Sequence, residues 1–306
     1  MKPPEQAEFP NLLILGAQKA ATTSLHKWLS DQPSIRSTAE LKDTDLFVWL
    51  NREGKMESFL NSLSYPNKKA TYLLHSCVNY MFYEEAMIAI REHCPSDAKF
   101  IVVLRSPTAR AHSAFKYFRL RGTERRDQKE ALRYTPQREW TYSLENNDMT
   151  YIEHGFYATQ LDMLHKYVKR EDLLLLDYDR LTKEEGYLQT QMGTFLDIEC
   201  TDEGLSSTNS TQQAPSGLLT FIIRIMQSPL IQPIKQRFGA VAKKAIMDGL
   251  IEHFPIKGKA QKEELHPELK EFLTEQFKEE VAALTERHGL DFVREWPEYQ
   301  ALQKTN

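Results

Sequence analysis

The chain has 306 residues, of which 41% are hydrophobic, and its formal net charge is −4. A chain of this length and composition can bury a substantial core, whereas its acidity disfavours nucleic acid as a partner. No apolar run approaches the roughly 18 residues that a membrane span needs, so no membrane-spanning helix is expected.

The cysteines and the N-terminal residues bear on the compartment. Cys77, Cys94 and Cys200 are an odd, scattered set that fits neither a disulfide framework nor a paired-cysteine metal site. Residues 1–10 contain one lysine and no apolar segment, which argues against a secretory signal. These observations favour a cytoplasmic protein that needs no metal.

Apolar strand patterns alternate with helical patterns along the chain. The sequence predicts four such pairs, namely strand 11–16 with helix 22–32, strand 70–75 with helix 80–93, strand 98–104 with helix 107–120, and strand 172–177 with helix 184–196. This alternation predicts an α/β fold, a central parallel sheet flanked by helices on both faces. Ligands of such sheets bind at the carboxyl ends of the strands.

The first strand turns directly into a helix through Gly16–Ser24. The start of a helix attracts anions through its unpaired N–H groups and its dipole. Lys19 and the hydroxyls of Thr22, Thr23 and Ser24 add charge and donors. In a Walker P-loop the lysine follows the second glycine, which is not the case here, so a Walker-type site is not expected. A tight turn with a solvated lysine is the alternative interpretation.

A second turn of this kind follows the strand that ends at Leu104. Ser106 and Pro107 suit the cap and the first position of a helix. Arg105 and Ser113 are suited to hold one phosphate, the arginine by a bidentate contact and the serine by donation. Each of the two, taken alone, would also suit a surface position. Two anion-binding turns in one chain favour the phosphate site.

In these two turns the chain resembles the sulfotransferases that use 3′-phosphoadenosine 5′-phosphosulfate (PAPS). The likeness is greatest to bacterial members and to the heparan sulfate and carbohydrate branch. The first loop of that family, a lysine followed by small residues and Thr/Ser pairs, is matched by Gln18–Leu25. Its second signature, Arg-x-Pro-x-x-Arg-x-x-Ser-x-Tyr, is matched by Arg105, Pro107, Arg110 and Ser113, with Phe115 in place of the tyrosine.

The resemblance implies a P-loop-like fold in a single domain over residues 1–306, and it assigns the binding residues. The 5′-phosphosulfate of PAPS is assigned to Gln18, Lys19, Ala20, Ala21, Thr22, Thr23 and Ser24, and the 3′-phosphate to Arg105 and Ser113. Lys257, Gly258 and Lys259 resemble a Lys-Gly-Arg loop that closes over the nucleotide in the heparan branch, although a plain surface loop is the alternative. Gly155–Leu161 and Asp172–Leu181 resemble a helix start and a strand with its turn in the same family.

The resemblance also implies the reaction, which is sulfuryl transfer of the EC 2.8.2 type. The sulfuryl group moves from PAPS to a hydroxyl or amine of a small-molecule acceptor by in-line displacement, and 3′,5′-ADP is released without help from a metal. Lys19 is the residue expected to neutralise the charge on the departing oxygen. The acceptor is either a free small molecule or one bound to a carrier.

The general base is assigned less directly. In the heparan branch it is a glutamate in a Lys-Glu-x-x-Phe-Phe stretch, and Lys42–Phe47 places Asp43 there, with Glu40 as a nearby substitute. His75, at the end of the second predicted strand, stands where the family has a lysine in a Glu-Lys-Ser/Thr-Pro motif that this chain keeps poorly. Asp43 is therefore the first candidate and His75 the second.

Two other functions stay open at this point. The altered motifs around Asp43 and His75 are compatible with a catalytically degenerate module that binds a nucleotide without chemistry. An ATP-dependent enzyme of the kinase type is disfavoured by the position of Lys19 and by the lack of a Walker B-like partner.

Four further segments carry predictions. Between Arg105 and Arg138 there are ten lysine and arginine residues and three acidic residues. This excess of positive charge suits either a funnel for an anionic ligand or a solvated helix. Residues 121–150 are expected to shape the acceptor site, and a helical C-terminal part begins near 217. Within it, apolar segment 217–239 suits an acceptor pocket, a homodimer contact or a core helix. Pro267–Gly289 predicts one amphipathic helix that ends at a glycine cap.

Overall fold

The computed structural model describes residues 9–37, 43, 45–53, 70–120, 123–133, 149–201, 204–205 and 263–300. Several predictions lie outside these residues. They concern the loop of Lys257, Gly258 and Lys259, the apolar segment 217–239, the substitute base Glu40, and much of the excursion at 121–150.

Five parallel strands form the sheet. They are β1 (Leu12–Gly16), β2 (Ile35–Ser37), β3 (Tyr72–Ser76), β4 (Lys99–Leu104) and β5 (Leu173–Asp177). Their order is β2-β3-β1-β4-β5, and every pairing is parallel. Leu13 of β1 is in register with His75 on one side and Phe100 on the other. The predicted α/β fold with a central parallel sheet is confirmed.

Nine α-helices accompany the sheet in the described ranges. They are α1 (Thr22–Ser30), α2 (Leu46–Glu53), α3 (Glu84–His93), α4 (Pro107–Leu120), α5 (Gln128–Arg133), α6 (Tyr157–Leu164), α7 (Tyr178–Lys183), α8 (Tyr187–Leu196) and α9 (Pro267–His288). Short 3₁₀ helices span Glu153–Gly155, Arg170–Asp172 and Asp291–Glu295. Among the residues with described positions, no helix combines the length and apolarity that crossing a bilayer requires.

The two central strands are sealed from water on both faces. All four residues of Leu12–Leu15 in β1 are fully buried, and so are those of Ile101–Leu104 in β4. A parallel sheet covered on both faces reads as continuous apolar runs, which is why these strands are visible in the sequence. The site at their carboxyl ends therefore rests on a rigid base.

The chain divides into two compact units. The first comprises Met1–Arg110, Glu153–Asn209 and Thr274–Asn306, and it contains the whole sheet. The second comprises Ala111–Ile152 and Ser210–Leu273. The expected single domain over residues 1–306 stays a prediction.

In the second unit, the basic residues are tied to acidic ones. Glu124 is buried, and its carboxylate accepts from Arg126 Nη2 at 2.7 Å and from the Tyr151 hydroxyl at 2.9 Å. Burial raises the pKa of this carboxyl, but the bonds from Arg126 and Tyr151 outweigh it and leave the pKa below its ordinary value. Arg133 Nη2 donates to Glu268 at 2.7 Å. These pairs favour a structural role for this part of the basic run.

Helix α9 places an apolar residue toward the core at every third or fourth position. The buried residues are Leu269, Leu273, Phe277, Val281 and Leu284. Gly289 follows the last turn with a φ of 68°, and its N–H donates to the Thr285 carbonyl at 3.0 Å. A left-handed residue after the helix end is most favourable for glycine. The predicted amphipathic helix and its glycine cap are confirmed.

We expect Gly155→Ala to destabilise the protein. A methyl group at Gly155 would lie 2.5 Å from Phe277 Cε1 and 3.1 Å from Pro107 Cβ. Because Phe277 is fully buried, its ring cannot move aside, and the overlap should cost about 1–3 kcal/mol. Urea denaturation measures the free energy of unfolding. Gly204→Ala is the control because Gly204 is exposed with no atom within 4 Å of the added methyl, and equal midpoints for the two variants would contradict this packing.

Candidate functional site

The strand order places the site between β1 and β4. The connection that leaves β1 leads to β2 at one edge of the sheet, whereas the connection that leaves β4 leads to β5 at the other edge. Neighbouring strands whose connections diverge leave a crevice at their carboxyl ends, and ligands of open α/β sheets bind there. Both predicted anion-binding turns begin at this crevice, one after Gly16 and one after Leu104.

The turn after β1 holds two non-glycine residues in the left-handed conformation. Lys19 has a φ of 66° and Ala21 a φ of 60°. This conformation costs a side-chain-bearing residue about 1 kcal/mol or more. Strained backbone of this kind concentrates at ligand-binding loops, and turns built on left-handed residues are a recurrent element of anion-binding backbone. The geometry thus supports an anion-binding turn over an ordinary surface loop.

Helix α1 begins without a side-chain cap. Its N-cap residue is Ala21, which has no polar side chain, and no acidic residue occurs in the first turn, Thr22–Leu25. The first hydrogen bond of the helix runs from the Leu25 N–H to the Ala21 carbonyl at 3.0 Å. The backbone N–H groups of the three residues before Leu25 therefore precede the regular hydrogen bonding of the helix. The positive end of the helix dipole is therefore suited to an anion.

Two of the residues assigned to the first turn are already engaged within the protein. Gln18 is buried, and its Oε1 accepts from Arg110 Nη1 at 3.4 Å. The Ala20 N–H donates to the Ala17 carbonyl at 3.3 Å. Both contacts shape the turn, so the side chain of Gln18 and the N–H of Ala20 support the loop from within.

The three hydroxyl residues of this turn differ in exposure. Thr22 is buried, Ser24 is half-buried, and Thr23 is exposed. Thr23 and Ser24 are therefore the two of these residues that solvent reaches.

Arg105 joins the two turns. Its Nη1 donates to the Lys19 carbonyl at 3.1 Å, and its guanidinium carbon lies 4.4 Å from the centre of the Tyr178 ring. Cation–π contact with the ring fixes the plane of the guanidinium. Since a guanidinium has five N–H donors, one bond to a carbonyl leaves it able to bind an anion as well.

Arg110, the second arginine of the motif, has a role that the sequence did not reveal. It is fully buried beside His154 and reaches the first turn through Gln18. Burial lowers the pKa of His154 well below its ordinary value, and the positive charge of Arg110 lowers it further. A neutral histidine therefore lies next to the buried arginine.

The two candidate bases lie together at the end of β3. The Asp43 N–H donates to the Ser76 carbonyl at 2.9 Å, and the residue has a φ of 58°. Asp43 is half-buried, whereas His75 is fully buried with its Nε2 2.8 Å from the Tyr80 hydroxyl. The ring of Phe47 packs edge-on against the imidazole, with 6.0 Å between centroids. His75 is thus enclosed in the core, and Asp43 is the more accessible of the two.

A buried polar group next to these bases was not foreseen. Asp45 Oδ1 accepts from Cys77 Sγ at 3.2 Å and from Asn79 Nδ2 at 3.1 Å. Burial raises the pKa of the Cys77 thiol, and the charges of Asp45 and Asp43 raise it further. The only sequence signal was a second aspartate two positions after Asp43, and it did not indicate which residues it would meet.

A further hydrogen bond joins α1 to the end of β3. His26 Nδ1, on α1, lies 2.6 Å from Ser76 Oγ, at the end of β3. Both residues are buried. This bond ties the helix that begins at the first turn to the strand end that carries Asp43.

The remaining predicted residues are placed as follows. Ser113 is buried on α4 within the second unit, and its part in the phosphate site stays a prediction of the motif. Lys257, Gly258 and Lys259 lie outside the described residues. Within the ranges that the structure describes, no group of three or more His, Cys, Asp or Glu side chains has an arrangement that holds a metal ion.

Comparisons with known proteins identify the family and the fold of the chain. The family model described as "Sulfotransferase domain" matches residues 9–285. A mouse relative, bifunctional heparan sulfate N-deacetylase/N-sulfotransferase 4, is 24% identical over 201 residues, and human bifunctional heparan sulfate N-deacetylase/N-sulfotransferase 2 is 24% identical over 200 residues. Each match covers 62% of this chain and 22% of the relative, so the chain spans about a fifth of the length of these curated relatives.

Among solved structures, the sulfotransferase from Alicyclobacillus acidocaldarius superposes with a TM-score of 0.59. The match covers 90% of this chain and 94% of that protein at 19% sequence identity. At this identity the likeness establishes the fold, and it agrees with the sheet described above.

We expect the free energy of unfolding to decrease as the pH is lowered from about 7.5 to about 5.5. The unfolded chain takes up a proton at His154 near the ordinary pKa, whereas folded His154, whose pKa is lowered, does not. The loss approaches about 1.4 kcal/mol per pH unit for one such group. His165 and His288, whose pKa values are also lowered by burial, act in the same direction.

Urea denaturation across this pH range checks the effect. The variant His154→Gln should show a shallower pH dependence than the wild type, because one of the titrating groups is gone. Identical pH dependence in the two proteins would contradict a neutral, buried His154.

Proposed function

Because the chain belongs to the family of sulfotransferase domains, we propose that it transfers a sulfuryl group from PAPS to a small-molecule acceptor and releases 3′,5′-ADP. The observation that supports PAPS most is the bond from Arg105 to the Lys19 carbonyl. It holds two anion-binding turns side by side at the crevice of the sheet. A donor that carries a phosphate on the 3′ position and a phosphosulfate on the 5′ position needs two such turns.

The 5′-phosphosulfate suits the start of α1. The helix offers the N–H groups of its first turn, an N-cap without a polar side chain and no competing acidic residue there. The exposed hydroxyl of Thr23 and the half-buried one of Ser24 add donors. The residues present therefore fit a doubly charged group at this position.

Lys19 is proposed as the catalytic cation. PAPS supplies the sulfuryl group, and its transfer leaves negative charge on the oxygen that had bridged sulfur and phosphorus. An ammonium group and the fixed N–H donors of the helix start stabilise that charge in the transition state. The left-handed backbone at Lys19, anchored through its carbonyl by Arg105, fixes the position from which the side chain extends.

The 3′-phosphate is proposed to bind Arg105, with Ser113 as the second ligand that the motif implies. The stacking of the guanidinium on Tyr178 leaves its edge to form the parallel N–H bonds that phosphate accepts. This division of roles places the two charged ends of the nucleotide on different turns.

Asp43 is proposed as the general base that accepts the proton of the acceptor. A base must come within hydrogen-bonding distance of the acceptor, and partial exposure permits this for Asp43. His75 is the weaker candidate because it is fully buried against Tyr80 and Phe47. The bond from the Asp43 N–H to Ser76 keeps the carboxylate at the strand end.

The proposed acceptor is a small molecule with a hydroxyl or an amine, free or bound to a carrier, in a cytoplasmic setting. The relatives named above carry N-sulfotransferase in their titles, and amines accordingly belong in any acceptor panel. A screen with radiolabelled PAPS over phenols, alcohols, amines and sugars would identify the class.

Two measurements separate the proposal from its alternatives. A catalytically degenerate module would be stabilised against heat by 3′,5′-ADP but would release none from PAPS with any acceptor. An enzyme of the kinase type would be stabilised by ATP and magnesium rather than by 3′,5′-ADP. The proposal requires stabilisation by 3′,5′-ADP together with its release from PAPS.

We expect Lys19→Ala to lower kcat by about 100-fold or more, because it removes a charge that acts on the transition state. The dissociation constant for 3′,5′-ADP should change little, since the N–H donors of α1 and Arg105 remain. Product release measures the first quantity and calorimetry the second. Lys27→Ala, which removes an exposed lysine from the same helix, is the matched control. Unchanged kcat in Lys19→Ala would overturn the assignment.

We expect Asp43→Asn to lower kcat by about 100-fold at saturating PAPS, the size of effect that general-base catalysis usually contributes. His75→Gln should keep kcat within a few fold of the wild type, because His75 is fully buried and is the weaker candidate for the base. Initial rates of the two variants at saturating PAPS rank the two residues. Wild-type rates in Asp43→Asn would reject Asp43, and a larger loss in His75→Gln would reverse the order.

A further inference from the structure

The segment Asp291–Gln300, called here the C-terminal brace, contacts the start of α4. Glu298 Oε2 accepts from Ser106 Oγ at 2.9 Å, and the Tyr299 hydroxyl lies 2.9 Å from Thr108 Oγ1. Ser106, Thr108 and Tyr299 are all buried. The brace is thus bonded to the residue that directly follows Arg105.

The C-terminal brace also packs beside the end of β5, which is followed by the tyrosine that contacts the Arg105 guanidinium. Trp296 is buried next to the Asp177 carboxylate, which caps α7 by accepting from the N–H groups of Asp179 and Arg180. Burial raises the pKa of Asp177, and those N–H groups and Trp296 counteract part of the rise. The next residue, Tyr178, carries the ring on which the guanidinium lies.

We propose that the C-terminal brace positions Arg105 for recognition of the 3′-phosphate, and that Glu298 is the positioning residue that carries most of this effect. The inference rests on the proposed function, since it concerns the same nucleotide. It assigns a role in donor specificity to residues that lie far from Arg105 in the sequence.

The chemistry of the Ser106 cap explains why Glu298 matters. Ser106 Oγ donates to Glu298 and accepts from the Ala109 N–H at 3.4 Å, as an N-cap does. The first turn of α4, Pro107–Arg110, has no acidic residue, so Glu298 supplies the negative charge that the helix dipole favours there. Without Glu298 the cap loses its acceptor, and the turn that carries Arg105 is held less firmly.

The direction of the change in anion affinity separates a positioning role of Glu298 from a purely electrostatic one. Removing a carboxylate near a phosphate-binding arginine would by itself strengthen anion binding, because a like charge disappears. Positioning predicts the opposite, since a mobile guanidinium must be ordered again when the ligand binds. The effect should be confined to ligands with a 3′-phosphate.

Calorimetric titration with 3′,5′-ADP and with 5′-AMP, which lacks the 3′-phosphate, tests this. We expect Glu298→Ala to weaken binding of 3′,5′-ADP about tenfold, the size of a lost hydrogen bond to a charged group, and to change binding of 5′-AMP less than about twofold. Glu298→Gln should lose clearly less affinity than Glu298→Ala, because its amide oxygen still accepts from Ser106 although the charge is gone. Glu295→Ala, which removes the same charge from an exposed position of the brace, should leave both affinities unchanged.

Each outcome is decisive. An unchanged or strengthened preference for 3′,5′-ADP in Glu298→Ala overturns the positioning role while leaving the proposed function intact. A tenfold loss in Glu298→Gln overturns it too, because that variant keeps the hydrogen bond, and this outcome does not depend on whether Glu298→Ala folds. Failure of the wild type to bind 3′,5′-ADP removes the proposed function itself and the inference with it.

Discussion

The hydrogen bond from Arg105 to the Lys19 carbonyl is the contact on which the site depends. It crosses the crevice between β1 and β4 and fixes the distance between two turns that would otherwise be set by separate loops. Both turns follow strands that are buried on both faces, so neither strand end can shift to compensate for a change in this distance. A ligand with charges at two fixed points benefits from such preorganisation, because little has to be ordered when it binds.

Three further contacts support this hydrogen bond. Arg110 holds the first turn through Gln18, Tyr178 holds the guanidinium, and Glu298 holds the cap of the following helix. A second set of polar contacts lies at the end of β3, where Asp45 accepts hydrogen bonds from Cys77 and Asn79, and where His26 contacts Ser76.

Features that depend on a few consecutive residues could be predicted from the sequence, whereas contacts between distant segments could not. The four longer strands and the helix starts at Thr22 and Pro107 carry their signals within a few consecutive residues. Strand β2 has only three residues, too few to display a period, and it was missed together with α2. The pairs Arg110–Gln18, Asp45–Cys77 and Glu298–Ser106 join segments remote in the sequence, and one bond between distant residues leaves no pattern in either segment.

The bare start of α1 has a consequence beyond chemistry. Serine, threonine, aspartate and asparagine are the residues preferred at the N-cap of a helix, whereas the side chain of Ala21 has no polar atom to fill that role. Under the proposed function, the nucleotide then completes the fold as well as the site, and at a hundred times its dissociation constant it adds about 2.7 kcal/mol to stability. Under the same proposal, bound nucleotide would also protect the chain from degradation, because stabilisation of this size lowers the population of opened molecules that proteases cleave.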